Sequence, residues 1–87
     1  MTVLANYYPT EGTVNTTPAT ITFPWRARKI IIINDSSTKN LQFKFKSNEN
    51  FGTLKPKEEV SVYHHSYTVL LDSPSNSDVP YRVWGFG

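Results

Sequence analysis

The stretch Leu41-Gln42-Phe43-Lys44-Phe45-Lys46 decides the fold class. Leu41, Phe43 and Phe45 share one face of an extended chain while Gln42, Lys44 and Lys46 share the other, a period of two that a 3.6-residue helix would scatter. Upstream, Lys29-Ile-Ile-Ile-Ile-Asn34 places four β-branched residues in succession. Such residues are stiff at χ1 and fit a pleated surface, so a central strand buried on both faces is expected. Between the two, Asp35-Ser-Ser-Thr-Lys-Asn40 is rich in side chains that bond nearby backbone, which makes a polar turn. Downstream, Phe51-Gly-Thr-Leu54 precedes a turn at Lys55-Pro-Lys-Glu58, then Val60 and Val62 alternate with polar residues. His64-His65 marks a bend before Tyr67-Thr-Val-Leu-Leu71, and Tyr81-Arg-Val-Trp-Gly-Phe86 reads as a packed closing strand.

No helical amphipathic pattern interrupts these segments, and six strand candidates recur at spacings of roughly 8–12 residues. The expected fold is therefore all-β, a single small antiparallel β-sandwich or jelly-roll-like barrel. Residues 1–22, crowded with Thr and punctuated by Gly12 and Pro18, lack sustained periodicity. They read as an extended N-terminal arm leading into a β domain over residues 23–87, with Thr20-Ile-Thr-Phe23 as the stretch best able to pair as a first strand.

A chain of 87 residues with no cysteine must stabilise a small core without disulfides, which points to homo-oligomerisation or a multi-copy assembly. Aromatic content of 14% against 18% charged residues suits compact β structure. The net charge is only +2 and the nine Lys and Arg are scattered, so nucleic acid is not the expected partner. The longest apolar run, Ile30 to Ile33, is far too short to cross a bilayer, and the first residues show no secretory leader. A protein made in the cytoplasm, with no membrane partner, is expected.

The residues offer little chemistry. His64 and His65 are consecutive, so on a strand they point to opposite faces and neither shares a site with a nucleophile. Converging on one metal ion would be equally awkward for them. Glu58 and Glu59 follow a basic turn, where solvated charges are ordinary, and the isolated glycines build no phosphate cradle. No catalytic residue, metal site or cofactor is expected. Contact residues are a better prospect: Tyr7 and Tyr8 before the Thr-rich stretch, and Phe23 and Trp25 after it, could anchor on apolar surface. Arg26 and Arg28 add charge for an acidic partner.

The segment Arg28 to Phe45, with Lys-Ile-Ile-Ile-Ile-Asn-Asp-Ser-Ser and Leu-Gln-Phe-Lys-Phe, resembles small virion structural proteins of tailed bacteriophages. Leu54-Lys-Pro-Lys-Glu58 and the closing Val79-Pro-Tyr-Arg-Val-Trp-Gly-Phe86 extend that resemblance over roughly the last sixty residues. It implies a non-enzymatic capsid decoration or cement protein, assembled in the host bacterial cytoplasm into the virion, with the major capsid protein or other virion proteins as partners. A tail, collar or head–tail junction component is the alternative role within it. The exposed aromatics suggest a carbohydrate-binding module as a further one.

Overall fold

The computed structural model describes residues 7–87, which form strands, turns and loops with no helix among them. Eight strands alternate between two sheets: β1 (Tyr7–Val14), β2 (Ala19–Ala27), β3 (Lys29–Asn34), β4 (Leu41–Lys44), β5 (Gly52–Leu54), β6 (Glu59–Val62), β7 (Ser66–Asp72) and β8 (Val79–Phe86). One sheet has the order β1-β8-β3-β6 and the other β2-β7-β4-β5, with every pair antiparallel. Apart from β4 to β5, each connection crosses from one sheet to the other. Two four-stranded sheets wound this way form a jelly roll, the second of the two architectures that the alternating pattern allowed.

The core lies between the sheets. Ile30, Ile32, Val79 and Val83 from one sheet meet Leu41, Val69, Leu71 and Ile21 from the other, and most of these are fully buried. Phe43 and Phe45 pack against the same core from the decisive stretch, although β4 itself ends at Lys44. Its end has a local cause: one Glu49 carboxylate oxygen accepts the N–H groups of both Phe45 and Lys46 at 3.0 Å, which turns the chain away from the ladder.

The structure incorporates residues 7–14 and 19–22 into the sheets, joined by a loop over 15–18, where sequence periodicity suggested an arm. β1 pairs with β8 along its whole length, from Tyr7 opposite Phe86 to Val14 opposite Val79. Residues 1–6 of the expected arm lie outside the described residues. The polar composition of β1 follows from its position at a sheet edge, where outward side chains meet water. Its inward positions are filled economically: Gly12 lies beneath the Tyr81 ring, whose hydroxyl would stand 2.8 Å from a Cβ added there. β2 is also an edge strand, and its ladder breaks between Thr22 and Ala27 around Pro24, a residue with no N–H to give.

β3 is central, between β8 and β6, as its composition requires. Its two faces differ, however: Ile30 and Ile32 are fully buried inside, while Ile31 on the outside is only half-buried. The turn before β6 has Pro56 at its second position and Lys57 at its third with φ of 66°, closed by Glu58 N–H donating to Lys55 O at 3.0 Å. This is type II geometry, which ordinarily favours Gly at the third position. Here Lys57 is secured by its N–H to Ser36 O and its Nζ to Asp35 O.

Candidate binding face on the outer surface of one sheet

The register of β1, β8, β3 and β6 aligns their outward residues in rows. Because Val79, Tyr81, Val83, Ile30 and Ile32 point into the core, the residues between them point out. The first row runs Tyr7, Phe86, Lys29, with Tyr63 just past the end of β6. The second runs Pro9, Trp84, Ile31, Ser61, and the third Glu11, Arg82, Ile33, Glu59. Two rows of rings and aliphatic groups thus border a row of charge.

The first row is organised by contact between rings and a cation. Tyr7 stacks on Phe86 with ring centres 5.3 Å apart. Lys29 Nζ stands 5.4 Å from the Tyr63 ring centre and 5.8 Å from that of Phe86, within the range where a ring face attracts a cation. Tyr63 is 81% exposed, so this arrangement faces water. Beside it, Arg28, Lys29, Tyr63, His65, Phe86 and Gly87 line an open cavity of about 470 Å³. The Arg28 N–H donates to Phe86 O at 2.8 Å, fixing the β2–β3 corner against β8.

The third row has a different electrostatic character. Arg82 makes a paired contact with Asp35, Nε to Oδ2 at 2.8 Å and an Nη to Oδ1 at 2.9 Å. Hydrogen bonding to Asp35 raises the Arg82 pKa above its ordinary value, with the charges of Asp35, Glu11 and Glu59 adding to the effect and partial desolvation opposing it. Asp35 thus engages the row's one cation, whereas Glu11 and Glu59 make no ion pair among the described residues. One end of the face therefore presents Arg28 and Lys29, and the other presents carboxylates.

The opposite sheet carries a smaller surface of this kind: its outward row Thr20, Leu70, Lys44 ends at Phe51, whose ring centre lies 4.3 Å from Lys44 Nζ. Its other outward residues include Thr22 from β2, Thr68 and Asp72 from β7, Gln42 from β4 and Thr53 from β5. Threonine is an ordinary solvent-facing strand residue. The asymmetry between the two outer surfaces singles out the β1-β8-β3-β6 side.

The residues expected to make partner contacts are dispersed. Tyr7 and Arg28 belong to the first row and its corner cavity. Tyr8 points the other way, edge-on to Phe23 at 6.0 Å. Phe23 is 2% exposed and serves the core, while Trp25 stacks over it at 6.2 Å, half-buried. Arg26 is exposed on the other sheet, within the irregular part of β2. Sequence reading did not select Ile31, Tyr63 or His65 as contacts. The alternation of Arg82, Trp84 and Phe86 with buried Tyr81 and Val83 was the available signal for β8.

The two histidines separate as their adjacency requires. His64 lies 4.6 Å from the Phe45 ring, with its Nε2 buried and unpaired, while His65 is exposed at the corner cavity. Among the described residues, no group of three or more His, Cys, Asp or Glu is placed to hold a metal ion.

No family model and no curated protein matches this chain. Among solved structures it is similar to an HTH_3 family transcriptional regulator from Vibrio cholerae, with a TM-score of 0.65 at 10% identity. The likeness covers 93% of this chain and 43% of that one, so the chain spans less than half the regulator's length. At this identity the similarity concerns the fold. It corrects the expectation of a phage virion protein: the matched architecture occurs in a regulator, and no virion relative supports a capsid, cement, collar or tail role. The glycan-binding alternative goes with it. The strand and turn motifs behind that expectation report sheet packing, which one fold lends to many functions.

Proposed function

We propose that this chain is a non-catalytic binding domain that docks the outer face of β1-β8-β3-β6 onto an acidic, partly apolar protein surface. The observation that carries this reading is the concentration of rings on one outer surface, where Tyr7, Phe86, Tyr63 and Trp84 lie beside Ile31, against the single ring of Phe51 beside Leu70 on the other. Exposed aromatic clusters beside a cation are the composition of protein contact sites, where rings bury much area at low entropic cost. A carboxylate delivered to the corner would meet Arg28 and Lys29 beside the Tyr63 and Phe86 rings.

A nucleic acid fits this surface less well. Its phosphates would meet two cations at one end and Glu11 and Glu59 at the other, a poor match for a uniformly charged backbone. The regulator's likeness does not change this: a helix-turn-helix reads DNA through a helix in the major groove, and residues 7–87 contain no helix.

The test is fluorescence anisotropy of a labelled peptide of glutamate and leucine, titrated with dilute protein. Lys29→Glu is expected to weaken binding at least about tenfold, as loss of a charged interface contact does, while Thr22→Glu on the other sheet leaves it unchanged. Equal binding by both variants, or none by the wild type, would overturn the proposal.

A further inference from the structure

We infer that the occupant of this face is a second copy of the same chain, the two sheets packing outer face to outer face about a two-fold axis. The inference rests on the binding-face reading above and names its partner. A two-fold contact must be self-complementary, each residue meeting its counterpart's partner in both directions. The rows described above meet that condition in one orientation.

With the axis running across the strands through the row Pro9, Trp84, Ile31, Ser61, that row lies on its own copy and forms the apolar centre. The first row of each chain then lies over the third row of the other. Tyr63 comes to Glu59, Lys29 comes to Ile33 with Glu59 one strand away, Tyr7 comes to Glu11, and the Phe86 ring receives Arg82. Glu59 thus gains a cation and Arg82, already over the Trp84 ring, gains a second ring face, each twice over, while Glu11 gains no cation. An axis along the strands instead stacks Glu11 on Glu59 with no added cation, which like-charge repulsion disfavours. The charge pattern therefore selects the crosswise orientation.

Size sets how firmly the copies hold. Four strands about 4.8 Å apart and rows about 7 Å apart make a footprint on the order of 400 Å² in projection. A standard interface covers about 800 Å² per partner, so association is expected to depend on concentration.

Sedimentation equilibrium of the full chain over rising concentration tests the inference. The apparent mass is expected to climb from 9.9 kDa to twice that value. Ile31→Arg should hold the chain at the monomer mass, and Ser61→Arg, at an exposed position of the same row, should do so if Ile31→Arg fails to fold. Lys29→Glu should weaken association at least about tenfold, and the double variant Lys29→Glu/Glu59→Lys should restore it. A wild type that stays at 9.9 kDa throughout overturns the inference, as does undiminished association of folded Ile31→Arg and Ser61→Arg. Failure of the double variant to recover overturns the crosswise pairing. Because peptide anisotropy is read on dilute protein, a monomer that still binds the peptide would sink the second-copy inference alone and leave the binding-face reading standing.

Discussion

Asn34 shows how one buried amide can secure several loops. Its side chain is wholly buried at the end of β3, where Nδ2 donates to Lys39 O at 2.8 Å and to Leu54 O and Lys55 O at 3.1 Å, while Oδ1 accepts the Ser36 N–H. Asn34→Ala would strand those backbone groups, so we expect a loss of about 2–4 kcal/mol in urea unfolding. A loss below about 1 kcal/mol would show that water replaces the amide. Ile-Ile-Asn-Asp-Ser hints only at the local turn to Ser36; the bonds to Leu54 O and Lys55 O, some twenty residues away, are what separate this residue from a solvated strand end. Glu49 acts more locally. The Phe45 N–H, opposed by partial desolvation and helped by the Lys46 N–H and the charges of His64 and Lys46, holds its pKa below the ordinary 4.5. Since the folded value is depressed, its contribution is complete above 4.5 and disappears as pH falls through the folded value. Urea midpoints measured from roughly pH 6 to pH 3 should therefore fall more steeply for the wild type than for Glu49→Gln.

At the level of elements, alternation served well where one face was apolar and the other charged. β4, β6 and β8 were legible for that reason, and the run of isoleucines located β3. β1 was not, because an edge strand with Gly12 and Pro9 buries few large side chains and so carries little hydrophobic period. Its contribution lies in close approach. β8 illustrates the same economy at Gly85, where an added Cβ would stand 2.5 Å from the Phe23 ring. The glycine leaves room for that ring to cross from β2 onto the opposite sheet. Gly85→Ala is accordingly expected to destabilise the fold by about 1–3 kcal/mol, the usual effect of overpacking a tight core. Equal thermal midpoints for variant and wild type would mean that the ring moves aside freely.

For the whole molecule, sheet composition was readable while sheet order was not. The binding face depends on Tyr7, Trp84, Ile31 and Tyr63 becoming neighbours, and that adjacency exists only once β1, β8, β3 and β6 are in register. Single segments revealed which residues alternate, never which strands would lie side by side, so candidate contacts chosen near one another in sequence ended on different surfaces. Phe23 was drawn into the core while Tyr63, read only as a polar-face residue alternating with Val60 and Val62, became the most exposed ring of the face. The pairing of β1 with β8 has one more consequence. Among the described strands β1 has one ladder partner, β8, so it stays unpaired until β8 has been made and docked. During that interval its backbone is a template open to other nascent chains, and Pro9 and Glu11, which offer a missing donor and a charge, are the residues that discourage such mispairing.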